Sequence, residues 1–99
     1  MSNYFGQRVR ELRDKKSILL RQIAAHLEVD TALISKLEKG DRNPNKEQVI
    51  KIAEFLNIQT DDLLTLWLAD KVESAVANDK NLASNAMNIV KNKIKIEKN

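Results

Sequence analysis

The side chains best suited to binding chemistry lie on one face of a short predicted helix between Asp30 and Gly40. The aliphatic residues of this helix cluster on its other face. The polar face carries Thr31, Ala32, Ser35, Lys36 and Lys39. Hydroxyl and ammonium groups donate hydrogen bonds. This face can therefore bind an anionic partner rich in hydrogen-bond acceptors.

The distribution of charge favours the same kind of partner. The net charge is +3, and residues 1–59 hold eleven lysine and arginine residues against eight acidic ones, whereas residues 60–99 hold six of each. A basic region favours an anion, and nucleic acid is the most common one. An ordinary solvated basic face would have the same composition, so charge alone does not decide between the two.

Catalytic and metal-binding patterns are missing from the sequence. There is no cysteine and a single histidine, His26, so a metal site of thiolates or paired histidines has no ligands. We find neither a nucleophile beside a base nor a glycine loop that cradles phosphate. The sequence therefore predicts a binding protein without cofactor or metal rather than an enzyme. For His26 it predicts a surface position, with a phosphate contact as the less favoured alternative.

The chain has the size of one small domain, with 99 residues and room for a single core. Apolar residues never run for about eighteen positions together, and the N-terminal residues lack the apolar stretch of a signal peptide. We therefore expect a cytoplasmic protein that does not span a membrane.

Helical periodicity runs through almost the whole chain. Two glycines and one proline are its few breaking residues, and aliphatic residues recur at three- and four-residue spacing. The sequence therefore predicts an all-α fold. The expected helices span 4–16, 20–27, 31–39, a stretch after Asn45, 60–77 and a stretch after a polar break at 78–81, with a frayed tail from Lys91.

Several predicted helix ends carry residues that favour capping. Asp30 and Asn45 can accept backbone N–H groups at the start of the third and fourth helices, and Thr60 is expected to do so for the fifth. Gly40 suits the left-handed position that closes the third helix.

The second and third predicted helices have the pattern of a helix-turn-helix unit. Ala24 leaves room for the two helices to cross closely, and Val29 would anchor the turn by packing its side chain into the core. Ile34 and Leu37 would hold the third helix against the domain. Its polar face would then project outward, and the DNA major groove is wide enough to accept such a helix.

A wider set of residues resembles the lambda-repressor-like, XRE-type helix-turn-helix family. The resemblance runs from Val9 to Leu64 and rests on Leu12-Arg13, Ile23-Ala24, Ile34-Ser35, Leu37-Glu38, Gly40, Pro44, Ile52-Ala53 and Leu56. It implies a DNA-binding domain of four to five helices over residues 1–68 and a C-terminal helical extension over 69–99. It also implies a sequence-specific transcriptional regulator that binds double-stranded DNA.

The resemblance implies roles for individual residues. Base edges would be contacted by Thr31, Ala32, Ser35 and Lys36. Of these, Lys36 can donate to guanine, and the methyl group of Ala32 can pack on that of thymine. Phosphates would be held by Arg21, Gln22, Lys39, Arg42, Asn43 and Lys46. An ordinary surface position is an equal alternative for Lys46.

Arg13 and Glu38 match the positions at which the family places an ion pair between the first helix and the recognition helix, with two separate surface charges as the alternative. The sequence departs from the family at two positions. Leu20 stands where a glutamine often contacts a phosphate, so we expect Arg21 to compensate. Glu28 stands where a glycine often adopts a left-handed conformation, so we expect Glu28 to be strained.

The C-terminal extension carries more apolar residues than one small domain needs. This surplus favours an interface, and a symmetric operator calls for two DNA-reading units. We therefore expect a homodimer whose contacts come from Leu64, Trp67, Leu68, Val72, Val76, Leu82, Ile89 and Val90. In the alternative, the last helix folds back on its own subunit.

Two functions are compatible with these features. The first is a dimeric regulator on a palindromic operator, which could control its own operon. The second is an antitoxin-like module whose C-terminal helices bind another protein and whose DNA binding is secondary. No obvious effector-binding domain is present, so the sequence favours control by abundance or by a protein partner over control by a small molecule.

Overall fold

The computed structural model describes residues 3–98, which form six α-helices joined by short turns and contain no strand. The helices are α1 (Tyr4–Lys15), α2 (Leu20–Leu27), α3 (Thr31–Lys39), α4 (Lys46–Leu56), α5 (Thr60–Val76) and α6 (Lys80–Lys98). The predicted all-α fold is confirmed, and the bounds of the first three helices agree with the prediction to within one residue. No helix within residues 3–98 has the length and apolar character needed to cross a bilayer.

A single core lies among the first five helices, and each of them contributes a stripe of apolar side chains to it. The buried apolar residues are Phe5, Val9, Leu12, Ile23, Ala24, Leu27, Ile34, Leu37, Val49, Ile52, Ala53, Leu56 and Leu63. Among the described residues, this core extends no further along the chain than the first turn of α5. Helix α3 contributes only its inner face to this core. Its opposite face is exposed and can meet a partner.

The start of α5 differs from the prediction. Thr60 is the first helical residue rather than the N-cap, which is Gln59, and Gln59 makes no side-chain capping bond. The prediction that Thr60 caps α5 is therefore wrong. Asp61 and Asp62 lie in the first turn, where carboxylates interact favourably with the positive end of the helix dipole. At this end of α5, the two carboxylates provide the stabilisation that a capping hydroxyl would otherwise give.

The C-terminal helix is longer than the sequence predicts. The chain turns at 77–79, and α6 then continues to Lys98, so the predicted fraying from Lys91 is wrong. Ile94 lies with Met87 and Val90 along a groove between α6 and the second half of α5. This packing extends into the tail and favours helix there. None of the residues described in α6 is buried, however.

Candidate nucleic-acid interface

Helix α3 is fixed at both ends and along its inner face. At its start, a carboxylate oxygen of Asp30 accepts the N–H of Leu33 at 2.8 Å, which confirms the predicted cap. At its end, Gly40 has a φ of 81°, a left-handed conformation that glycine adopts without strain. Ile34 and Leu37 are buried. The helix cannot rotate about its axis without exposing them.

The outer face of α3 gathers the residues that the sequence assigns to base contacts. Thr31, Ala32 and Lys36 are exposed, and Ser35 is half-buried beside them. Because an α-helix repeats every 3.6 residues, Lys36 lies about one turn along from Thr31 and Ala32 on the same face. The face presents a hydroxyl, a methyl and an ammonium group to solvent. Such groups can bond to or pack against base edges.

The turn between α2 and α3 contains a strained residue. Glu28 has φ 58° and ψ 42°, the left-handed conformation, which confirms the expectation from the sequence. A side chain disfavours this conformation by about 1 kcal/mol relative to glycine. The N–H of Val29 donates to the carbonyl of Ala24 at 3.0 Å and closes the turn. Val29 then packs against the core, so the angle between α2 and α3 is fixed.

Two of the residues predicted to hold phosphates lie in the first turn of α2. Arg21 is exposed. Gln22 is also exposed, but its Oε1 accepts the N–H of Leu19 at 2.7 Å and so caps the helix. This bond orients the side chain of Gln22 and leaves its NH₂ group as a donor for a phosphate oxygen.

The other predicted phosphate contacts follow α3 and lie on or beside the α3–α4 loop. All four are exposed: Lys39, Arg42, Asn43 and Lys46. The backbone of this loop is tied down at two points. The N–H of Asp41 donates to the carbonyl of Lys36 at 2.9 Å, and Nε1 of Trp67 donates to the carbonyl of Pro44 at 2.8 Å. The loop therefore holds its cationic side chains in a defined place relative to α3.

The start of α4 is closed by two reciprocal hydrogen bonds. The N–H of Gln48 donates to Oδ1 of Asn45 at 2.8 Å, and the N–H of Asn45 donates to Oε1 of Gln48 at 3.0 Å. The predicted cap by Asn45 is thus confirmed. Lys46, the first residue of α4, lies at the positive end of the helix dipole, where an anion is favoured.

The structure brings Arg13 and Glu38 together. Nε and Nη2 of Arg13 donate to the two carboxylate oxygens of Glu38 at 2.7 and 3.2 Å, and Nη1 donates to the carbonyl of Ile18 at 3.1 Å. The side chains are 16% and 7% exposed. The hydrogen bond to Glu38 raises the pKa of Arg13, so the guanidinium stays charged. The pair joins α1, the α1–α2 turn and α3.

A close approach of α1 to α3 depends on Gly6, which sequence reasoning missed. A Cβ at Gly6 would lie 2.4 Å from the carbonyl oxygen of Glu38 and 2.7 Å from that of Leu37. The side-chain amide of Asn3 donates to the same carbonyl of Glu38 at 2.8 Å. The available signal was a glycine inside a predicted helix, which is unfavourable by about 1 kcal/mol and usually has a packing reason.

Asp70 in α5 holds the start of α1, a role that no local pattern reveals. Its two carboxylate oxygens accept the N–H groups of Tyr4 at 2.7 Å and Phe5 at 3.1 Å. Two of the N–H groups that a helix start leaves unpaired are thereby satisfied from a distant part of the chain. The negative charge of Glu73, one turn away, is the largest cause of a raised pKa at Tyr4. Helix α5 is therefore tied to α1.

The residues predicted to form a dimer contact lie in different environments. Leu64 and Trp67 pack against the core of their own chain. Val76 is half-buried in the groove between α5 and α6. The others are exposed on the second half of α5 and on α6: Leu68, Val72, Leu82, Ile89 and Val90. The structure thus gives Leu64 and Trp67 a role within the subunit and leaves the last five uncovered.

His26 is exposed, and its ring lies against that of Phe55 with centroids 5.0 Å apart. Within residues 3–98, no group of three or more histidine, aspartate or glutamate side chains is placed to hold a metal ion. The structure therefore gives His26 a packing contact on the surface.

A family model described as a helix-turn-helix domain matches residues 6–68 of this chain. The matched region contains all the residues predicted to contact bases and phosphates, and the Arg13–Glu38 pair. It ends at Leu68, in the middle of α5, and does not include α6.

Curated relatives are similar to about three fifths of the chain. The control protein C.BamHI of Bacillus amyloliquefaciens is 36% identical over 61 residues, which cover 61% of this chain and 75% of that protein. The uncharacterized HTH-type transcriptional regulator RghRB of Bacillus subtilis is 36% identical over 61 residues, which cover 61% of this chain and 44% of RghRB. The matched stretch thus spans less than half the length of the second relative.

The fold is also found among solved structures. One of them is the crystal structure of the restriction-modification controller protein C.AhdI from Aeromonas hydrophila, with a TM-score of 0.58 and 33% sequence identity. The similarity covers 62% of this chain and 92% of that chain. Nearly all of the C.AhdI chain therefore corresponds to less than two thirds of this one.

Proposed function

This chain belongs to the lambda-repressor-like, XRE-type helix-turn-helix family, and we propose that it is a sequence-specific, DNA-binding transcriptional regulator. Relatives named as transcriptional regulators and controller proteins support the proposal. The observation that carries it is the exposed polar face of α3, which is capped at both ends and joined to α1 through Arg13 and Glu38. A helix held this rigidly can keep its side chains in register with bases in the major groove.

Each side chain on this face is assigned its own contact with DNA. Lys36 is the main reader, because its ammonium group can donate to O6 and N7 of guanine. Thr31 bonds to a base or a phosphate, and Ala32 packs on a thymine methyl group. Ser35 is half-buried and reaches the groove less readily, so its part is the smallest.

The exposed cations and amides around α3 hold the DNA backbone. They are Arg21, Gln22, Lys39, Arg42, Asn43 and Lys46. Contacts of this kind set the orientation of the protein on DNA and make binding depend on salt, but they carry no sequence information directly. The hydrogen bond from Trp67 to Pro44 supports this role, because it fixes the loop from which Arg42 and Asn43 project.

We further propose that the protein binds a palindromic operator as a homodimer. Two recognition helices must then lie about one DNA turn apart, and a two-fold dimer provides that arrangement. The uncovered apolar side chains of α5 and α6 support dimerisation. Binding upstream of its own gene would make the protein autoregulatory. This role needs no cofactor and no catalysis, and places the protein in the cytoplasm.

A second function is favoured by the same uncovered apolar side chains. They could bind a different protein, as in an antitoxin, with DNA binding secondary. The two functions make different predictions for a protein that lacks residues 78–99. In the antitoxin-like case, the truncated protein loses its partner and still binds DNA.

The proposal is tested by binding of the purified protein to the DNA upstream of its own gene and to random DNA, over a range of salt concentrations. We expect tight, salt-sensitive binding that prefers the upstream DNA. Lys36→Ala should remove about 1–3 kcal/mol of discrimination at the base pair it reads. Lys80→Ala removes the same charge from α6, outside the family match, and should leave the preference unchanged.

Two results would contradict the proposal at different points. Binding to upstream DNA no tighter than to random DNA would reject control of its own gene. An identical preference in the wild type and in Lys36→Ala would reject α3 as the reading helix.

A further inference from the structure

A large apolar surface is uncovered from Leu68 to the end of α6. The five exposed residues named above are joined there by Met87, Ile94 and Ile96, and all eight are 42% to 74% exposed. Eight large side chains at about half exposure together present an apolar area on the order of several hundred Å². The largest apolar patch on a typical monomer is about 300–600 Å², and a standard interface buries about 800 Å² per partner. The surface therefore has the size of an interface.

Helix α6 presents its apolar residues in two stripes. The first faces α5 across a groove of about 490 Å³ and consists of Met87, Val90 and Ile94. The second consists of Leu82, Ile89 and Ile96, which follow one another at intervals of seven residues. Seven residues are close to two helical turns, so these side chains form a line along the helix. They are 56%, 71% and 74% exposed, and nothing within residues 3–98 covers the line.

The chemistry of the groove favours a protein as its occupant. Of the described residues that line it, Lys91 alone is charged, and the others are valine, alanine, methionine and isoleucine. A small-molecule site needs several converging polar groups to orient its ligand. This groove and the adjoining stripe offer aliphatic side chains instead, which suit the aliphatic side chains of another helix.

The charges of α6 determine how two such helices can meet. Residues 91–98 contain four lysines and one glutamate, whereas residues 81–90 contain no charged residue. Parallel packing of two α6 helices would bring both basic ends together, and like charges repel. Antiparallel packing places each basic end beside the uncharged residues 81–90 of the other helix, which follow the oppositely charged Asp79 and Lys80.

We propose that a second copy of this chain covers this surface, with the two α6 helices antiparallel about a two-fold axis at Ile89. Ile89 is the middle residue of α6 (Lys80–Lys98). The axis therefore sets Ile89 beside Ile89 of the second copy, and Leu82 beside Ile96 of the second copy. The proposal rests on the proposed function, which requires two copies on a symmetric operator. A two-fold interface meets this requirement, because it is self-complementary.

The absence of cysteine from the sequence allows a direct test by cross-linking. Full-length Leu82→Cys and Ile96→Cys proteins, one of them carrying a short tag, are mixed, oxidised mildly and separated by size without reductant. The antiparallel pairing predicts a cross-link between the tagged and untagged variants, and little between identical ones. Ile89→Cys should link to itself. Ser84→Cys, on the polar side of α6, is the control and should not link.

Three results would overturn the pairing. Leu82→Cys and Ile96→Cys that each link mainly to themselves would show a parallel arrangement. A dimer that links at none of the three positions would place the interface elsewhere. A protein that sediments as a monomer at micromolar concentration would leave a different protein as the occupant.

The DNA-binding assay, run on the same samples, separates this inference from the proposed function. A cross-linked antiparallel dimer with no preference among DNA sequences would contradict the proposed function and leave the pairing intact. A parallel dimer that prefers the upstream DNA would contradict the pairing alone. A monomer with that preference would contradict the pairing and the proposed homodimer, and leave sequence-specific DNA binding intact.

Discussion

The N-terminal unit, residues 3–68, and the extension, residues 69–98, contain the same kinds of aliphatic residue in opposite environments. Ile34 and Leu63 in the unit are 0% exposed, whereas Ile89 and Ile96 in the extension are 71% and 74% exposed. The unit buries its apolar side chains within one chain and leaves a polar helix face outside. The difference supports the proposal that the extension provides one half of an interface.

The two regions meet inside α5, where specific contacts join them. Asp70 of the extension accepts the N–H groups of Tyr4 and Phe5. Within the unit, Nε1 of Trp67 donates to the carbonyl of Pro44. The ammonium group of Lys71 lies 4.5 Å from the centroid of the Trp67 ring. These contacts reach α1 and the α3–α4 loop. The start of the extension therefore cannot move independently of the elements that flank α3.

The largest expected effect comes from breaking the ion pair inside the unit. Arg13→Ala leaves the carboxylate of Glu38, which is 7% exposed, without its counter-charge. We expect the free energy of unfolding to fall by about 3–5 kcal/mol, as measured by urea denaturation. The double variant Arg13→Met with Glu38→Leu removes both charges and should recover most of the loss. A fall below about 1 kcal/mol is typical of a solvated surface pair and would contradict this description.

The second effect tests how closely α1 packs on α3. Gly6→Ala places a Cβ against the carbonyl oxygens of Leu37 and Glu38. We expect a loss of about 1–3 kcal/mol in the free energy of unfolding, because an overpacked site must shift its neighbours. Gln7→Ala, at the exposed next position, should change stability by less than about 0.5 kcal/mol. A more stable Gly6→Ala protein would show that α1 can move away from α3 without loss of free energy of unfolding.

The third effect concerns the boundary between the two regions. Asp70→Ala removes the acceptor of two N–H groups at the start of α1 and should cost about 1 kcal/mol of stability. Amide hydrogen exchange at Tyr4 and Phe5 should become faster. Ser74→Ala, one turn further along the exposed part of α5, should leave both amides unchanged. Unaltered exchange in Asp70→Ala would mean that α5 does not hold α1.

The smallest effect is a gain in stability at the turn before α3. Glu28 has a φ of 58°, and glycine adopts this conformation without a steric penalty. We expect Glu28→Gly to stabilise the unit by up to about 1 kcal/mol and to raise its melting temperature. Glu28→Ala keeps a Cβ and should give no such gain. A melting temperature that stays the same or falls in Glu28→Gly would contradict the turn geometry.

Much of the unit could be predicted from sequence because its determinants are local. The caps at Asp30 and Asn45 and the left-handed Gly40 each follow from one residue type at a helix end. The same local reasoning was wrong at Thr60, where the acidic first turn of α5 supports the helix start without a side-chain cap. Local patterns therefore located the helices better than they identified what holds each end.

The contacts between distant parts of the chain could not be predicted in this way. The hydrogen bonds that Asp70 accepts from Tyr4 and Phe5 join residues 66 and 65 positions apart in the sequence, and no periodicity encodes them. The same limit applies to the tail of α6, where polar composition predicted fraying but Ile94 packs towards α5. Trp67 was predicted to form an interface, and its bond to Pro44 gives it a role within the subunit.

The central claim is that α3 reads bases while the residues around it hold phosphates. It is tested most directly by the affinities of the wild type, Lys36→Ala and Arg42→Ala for preferred and random DNA, measured against salt concentration. We predict that Arg42→Ala weakens both complexes alike and reduces the salt slope by about 1, whereas Lys36→Ala removes most of the preference. Loss of the preference in Arg42→Ala, with the preference intact in Lys36→Ala, would contradict the claim.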